Sequence, residues 1–157
     1  MTSDDFAKHI IDMTQTLYRV AYSQLPTAAD REDAVQETLR KAWEKRGRLR
    51  DERYLQTWVI RILINECHTI QRRAKRITPM EAFPPAAAAG GAQPSLTSAL
   101  LSLEERFRMP LLLHYIEGYP LEDVSAMLHV PKGTVKSRMA RGREKLRAIL
   151  MEEVFES

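Results

Sequence analysis

Cysteine occurs once in these 157 residues, at Cys67, so no disulfide can close within the chain and no cysteine-built zinc site is available. Long apolar runs are missing as well: none approaches the roughly 20 residues that a membrane-spanning helix needs. The opening residues Thr2, Ser3, Asp4 and Asp5 are acidic rather than basic and lead into no apolar core, unlike a secretory signal. A reduced, cytoplasmic protein is expected, with no membrane insertion of its own. There is no alternating strand pattern, no glycine-rich phosphate loop and no Ser/His/Asp constellation. His9, His68, His114 and His129 are scattered, and no second thiol or carboxylate stands at a ligand spacing, so neither a metal nor a cofactor is expected. Glu104 and Glu105, like Glu152 and Glu153, are neighbours only in sequence. On a helix they would point about 100° apart and could not share an acid–base site. Nothing here supports an enzyme.

Charge of one sign is scarce overall, with a formal net charge of +3, but its distribution is uneven. Between Lys132 and Arg147 stand seven lysines or arginines against one acid, Glu144. Local charge of this kind, rather than the total, makes the field that draws in DNA. The same stretch keeps an apolar stripe, Val135, Met139, Gly142, Leu146 and Leu150, at steps of three and four, so it predicts a helix with its basic residues around the other face. A short helical pattern from Leu121 to Leu128 precedes it, joined by the turn His129-Val-Pro-Lys-Gly133. Helix, tight turn and basic second helix make a helix-turn-helix, whose second helix enters the DNA major groove.

The rest of the chain also reads as helix, which predicts an all-α protein. Phe6, Ile10, Met13, Leu17, Val20 or Ala21, and Leu25 form one apolar register that Pro26 closes. Thr27 and Asp30 resemble a capping pair for a second helix, which would bury Ala34, Val35, Leu39, Ala42 and Trp43 and stop at Gly47. Asp51 can cap a third segment from about Glu52 to Arg73, with Leu55, Trp58, Val59, Ile62, Leu63 and Ile70 inward. It may be one helix or two, because Val59 to Ile64 is apolar almost all round. Residues 77–95 hold clustered prolines and a glycine pair and read as a flexible linker. Two small helical domains follow from this, 1–76 and 96–157, the second built from four helices.

Three segments carry a family likeness. Asp33-Ala-Val-Gln-Glu-Thr-Leu-Arg-Lys-Ala-Trp43, Thr57-Trp-Val-Ile-Arg-Ile-Leu-Ile-Asn65, and Gly118-Tyr-Pro-Leu-Glu-Asp-Val124 with Gly133-Thr-Val-Lys-Ser-Arg-Met-Ala-Arg-Gly-Arg-Glu-Lys-Leu146 occur in that order. Together they resemble regions 2 and 4 of the bacterial extracytoplasmic-function (ECF) sigma factors, promoter-recognition subunits of RNA polymerase. The resemblance implies core RNA polymerase and promoter DNA as partners, an anti-sigma factor as a regulator, and no catalytic activity. It also implies that the polar face of Asp33, Gln36 and Glu37 docks on the polymerase largest subunit. The alternative is a stand-alone helix-turn-helix repressor or adaptor, although no dimer seam is apparent.

Tyr54, Trp58, Arg61, Arg72 and Arg73 combine π-faces with phosphate-binding charge, the chemistry of single-strand capture. By resemblance this segment opens and reads the −10 element, with Asn65 at the family's matching Asn position. Asparagine suits such a place because one side chain offers donors and an acceptor to a base edge. A core anchor for Trp58 and a capping role for Asn65 stand beside these readings. Ile60 replaces a frequent family tyrosine and would act as an apolar wedge. In the last helix, Lys136, Ser137, Ala140 and Arg141 match the positions from which the family reads the −35 element. Arg141 is placed to contact guanine O6 and N7, while Lys136, Arg138, Arg143 and Lys145 would hold phosphates. Two further departures are Gly142, where the family favours Ala, and His129, where a turn glycine is usual. His129 would need a left-handed backbone.

Overall fold

Thr2 opens the first helix: its hydroxyl accepts a hydrogen bond from the Asp5 N–H at 3.1 Å, satisfying one of the donors that a helix start leaves unpaired. The computed structural model describes residues 1–77 and 96–156, with side chains for 1–75 and 96–152. Among the described residues every regular element is helical. The chain divides into two compact units, Met1–Met80 and Glu81–Ser157. The linker expected at 77–95 lies, apart from Ile77, outside the described residues.

The first unit holds α1 (Ser3–Asp12), α2 (Thr14–Gln24), α3 (Ala28–Glu44) and α4 (Leu55–Ile77). The single helix expected from Phe6 to Leu25 is two. At Met13 the N–H is shared between the carbonyls of His9 and Ile10, which tightens one turn without breaking the apolar register. Thr27 caps α3 as expected, accepting from the Asp30 N–H at 3.1 Å. The residues from Glu52 to Ile77 resolve into a 3₁₀ turn, Glu52–Tyr54, capped by Asp51, and one continuous helix.

α4 lies against both α2 and α3, which explains why its apolar residues hide their period. Leu55, Val59, Ile60, Leu63, Ile64 and Cys67 are buried, whereas Trp58, Ile62 and Ile70 are only half-buried. Ile60 is fully enclosed, so the wedge role is corrected: it packs in the core and cannot reach a base step. Trp43 also departs from expectation. It is 43% exposed because it sits on the last turn of α3, with the Arg46 guanidinium 3.9 Å above its ring. Leu39, expected inside, is half-buried.

One ion pair ties α3 to α4. Lys41 binds Glu66, whose side chain is 12% exposed against 32% for the lysine. Removing the better-solvated partner strands a carboxylate away from water, so Lys41→Met is expected to cost about 2 kcal/mol. The double variant Lys41→Met with Glu66→Leu should recover most of that loss. Urea unfolding followed by tryptophan fluorescence measures both, and equal losses in the single and double variants would refute the pairing.

The second unit holds α5 (Leu96–Leu101), α6 (Glu105–Leu111), α7 (Leu121–Leu128) and α8 (Lys132–Glu156), with α5, α6 and α7 all resting on α8. Pro110 stands inside α6, and the chain then widens into a π turn, Leu112–Ile116, closed by the Glu117 N–H on the Leu112 carbonyl. Leu113 points inward from this turn, while Tyr115 and Ile116 are exposed. Arg108 is buried and its Nη1 donates to the Leu103 carbonyl at 2.7 Å, bracing the α5–α6 corner. Burial pushes its guanidinium pKa down, and the Glu105 charge opposes that.

Candidate nucleic-acid and partner interfaces

The turn that aims α8 depends on one backbone conformation. α7 ends at His129 with φ 57° and ψ 45°, the left-handed region foreseen from the missing glycine. The Val130 N–H bonds back to the Ser125 carbonyl, and the Ser125 hydroxyl donates to the Val130 carbonyl at 2.6 Å. These bonds satisfy the helix end and offset the strain of a side chain at positive φ. α8 starts directly after Pro131.

Val135, Met139, Gly142 and Leu146 form the buried stripe of α8. Lys136, Ser137, Ala140, Arg141, Arg143 and Lys145 are exposed, and Arg138 is half-buried at the margin. Arg141, Lys136 and Arg138 make no ion pair or hydrogen bond among the described residues. Their charge is therefore available to an incoming phosphate or base. Two members of the set are held from within: Arg143 donates to the Tyr115 hydroxyl at 3.0 Å, and the Lys145 ammonium lies 5.3 Å from the Phe107 ring. Lys132 reaches Glu122 at 3.4 Å, across the helix-turn-helix corner.

On α4, Trp58, Arg61, Asn65 and Arg72 fall within about 60° of one another at 100° per residue. Arg61, Asn65 and Arg72 are exposed, and Trp58 is half-buried, its ring 6.3 Å from that of Phe6. It anchors and faces outward at once. Thr69 links the stripe, donating to the Asn65 carbonyl at 3.0 Å and accepting from Arg72 at 3.2 Å. Asn65 lies inside the continuous helix α4, so it neither caps nor interrupts one. Tyr54, 56% exposed, extends the stripe at its start. Arg73 does not join it. It turns about 100° away toward α3, where its charge acts on Glu37.

α3 carries Asp33, Gln36 and Glu37 on one polar face, with Asp33 and Gln36 exposed and Glu37 half-buried. Glu37 is engaged within the chain. Hydrogen bonds from Arg40 hold its carboxyl below the usual range, and the charges of Arg40, Lys41 and Arg73 add to this. Arg40 also reaches Glu44 at 2.6 Å. Gln36 donates to Glu32 at 3.1 Å.

The loop that joins α3 to α4 carries no motif in the sequence but is strongly basic. Lys45, Arg46, Arg48, Arg50 and Arg53 crowd into nine residues with only Asp51 and Glu52 against them. Arg46 and Arg50, with Phe6 and Leu49, line an open cleft beside the start of α1. The composition of this loop was visible, but it has no period and so no motif to flag it. No group of side chains suited to a metal ion occurs among the described residues, and no helix there is long and apolar enough to cross a membrane.

Comparison with known proteins bears on these surfaces. The model of sigma-70 region 2 matches residues 11–77, and that of sigma-70 region 4 matches residues 94–146. The ECF RNA polymerase sigma factor SigM of Mycobacterium tuberculosis is 32% identical over 139 residues, covering 85% of this chain and 71% of that one. Among solved structures, the sigma factor RpoE in complex with the anti-sigma factor NepR, from Bartonella quintana, superposes with a TM-score of 0.76 at 28% identity. That match covers 94% of this chain and 97% of the other. CnrH, solved with the cytosolic domain of CnrY, gives a TM-score of 0.74 at 25% identity over 96% and 90% of the two chains. Sigma factors direct transcription and are not, as a class, enzymes. With both regions matched in order and a relative above 30% identity across most of both chains, the chain belongs to the ECF RNA polymerase sigma factors.

Proposed function

We propose that this sigma factor divides its work among three surfaces. The polar face of α3, with Asp33, Gln36 and Glu37, binds core RNA polymerase. The stripe of α4, with Tyr54, Trp58, Arg61, Asn65 and Arg72, opens and reads the −10 element, helped by the basic loop Lys45–Arg53. Residues Lys136, Ser137, Arg138, Ala140 and Arg141 of α8 read the −35 element, and Arg143 and Lys145 set its register on the phosphates. Residues 1–76 and 96–157 act as the two DNA-gripping domains, and 77–95 tether them. The protein has no catalytic activity of its own and works in the cytoplasm, where polymerase is. An anti-sigma factor restrains it, by analogy with RpoE of Bartonella quintana, solved in complex with the anti-sigma factor NepR.

The observation that carries this reading is the outward, un-neutralised edge of α8 behind a rigid turn. Reconstitution tests it: bacterial core polymerase plus this protein should initiate at specific promoters that core alone ignores. A gel shift separates the alternative, because a stand-alone repressor would bind duplex DNA without polymerase. The pair Gln36→Ala with Glu37→Ala should weaken core binding about tenfold while the melting temperature stays essentially unchanged. Full affinity in that variant would move the docking surface elsewhere.

A further inference from the structure

Glu32 belongs to the first turns of α3, where an acid would ordinarily be explained by the helix dipole alone. Its actual contacts are more specific. One carboxylate oxygen accepts from the hydroxyl of Tyr18, on α2, and the other accepts from the Gln36 amide nitrogen at 3.1 Å, while the Gln36 amide also hydrogen-bonds the Tyr18 phenol oxygen, so the three side chains close a triad. An ionised carboxylate can only accept, so the Gln36 amide must turn its NH₂ toward Glu32 and its carbonyl away. That leaves an acceptor oxygen beside the carboxylates of Asp33 and Glu37. The exposed face then offers free acceptors at Asp33 and Gln36, beside a Glu37 already held by Arg40, which suits a partner surface presenting arginine or lysine donors.

We infer that Tyr18 is a positioning residue for polymerase binding: it fixes Glu32, and Glu32 fixes the orientation in which Gln36 meets its partner. This rests on the reading of α3 as the polymerase-binding face. The phenol is well suited to the task, because the neighbouring Glu32 raises its pKa further above neutrality, so the hydroxyl stays a donor. Without that donor, Glu32 is free to swing and Gln36 to flip. A flipped Gln36 amide would then point its NH₂ group at the partner's cations.

A coupling cycle on the full chain decides the matter, with affinity for bacterial core polymerase and the melting temperature read together. Tyr18→Phe removes only the hydroxyl from a half-buried ring on α2 and is expected to weaken binding about fivefold with little change in melting. Glu32→Ala reaches the same link from the exposed side of α3, so any loss of α2 packing in the first variant cannot mimic the result. It should weaken binding by a similar factor, and adding Tyr18→Phe to it should cost less than Tyr18→Phe costs in the unaltered chain, because both act on Gln36. In a Gln36→Ala background both changes should be silent. Normal affinity for Tyr18→Phe, or losses that multiply with Gln36→Ala, would overturn the role of Tyr18 alone. Normal affinity for Gln36→Ala itself would sink the docking face, and the inference with it.

Discussion

Gly142→Leu should unfold the 96–157 unit while leaving the first unit intact. A Cβ built at Gly142 would stand 2.8 Å from Leu111 Cδ1, 3.3 Å from Phe107 Cβ and 3.4 Å from the Phe107 carbonyl oxygen. Phe107 and Leu111 are themselves 4% and 2% exposed, so neither has room to withdraw. The glycine therefore lets α6 and α8 approach closely, and its helix-propensity cost of about 1 kcal/mol accompanies a packing need. Four added carbons at such a contact overpack the core, and we expect a loss of about 3 kcal/mol or more. For a unit of this size that is most of its stability. Both tryptophans, Trp43 and Trp58, lie in the first unit. Far-UV circular dichroism should therefore lose helix at 25 °C while the tryptophan unfolding transition stays in place. Unchanged dichroism would mean that α6 and α8 are not apposed at Gly142.

The second large effect concerns sequence preference. Arg141→Ala should cost about 1–3 kcal/mol at one −35 position and relax the choice of base there. The reason is geometric: Arg141 faces outward one position from the buried Gly142, with no partner among the described residues to satisfy its planar donor fork. Arg143, by contrast, already spends one donor on Tyr115. Arg143→Ala should weaken holoenzyme binding to all promoters alike. Promoter-variant titrations with reconstituted holoenzyme measure both, and a uniform loss for Arg141→Ala would reassign it to the phosphates.

The helix-turn-helix was legible because periodicity and charge there point the same way, and even the strained turn at His129 could be foreseen from the residue type. Thr27 and Asp51 were legible because a cap is a local device, complete within three residues. The phase of α4 was not, since a helix flanked by two others has no single inner stripe. Trp43 misled for a related reason: apolar spacing says which side of α3 is inner, but not that its last turn overhangs the core. What remained invisible depends on partners distant in sequence. Glu66 meets Lys41 across 25 positions, and Gly142 meets Phe107 across more than 30. Arg108, set in a charged run, gave no sign that its guanidinium would be drawn inside. Arg72 and Arg73 group together by charge, and only the 100° between neighbours on α4 separates the exposed Arg73 from the stripe of Arg72.

The wide turn at Leu112–Ile116 bears on how this chain can change its length over evolution. Such a turn is an α-helix holding one surplus residue in a longer backbone ring. Losing one residue there restores an ordinary turn at the end of α6, whose preceding residues keep their phase, and the non-helical residues 117–120 before α7 absorb the change. Losing one inside α8 would instead swing every later side chain by about 100°, carrying Arg141 off its outward edge or Leu146 out of the core. Homologues are therefore expected to differ in length by single residues in the window after Pro110 more readily than along the recognition helix.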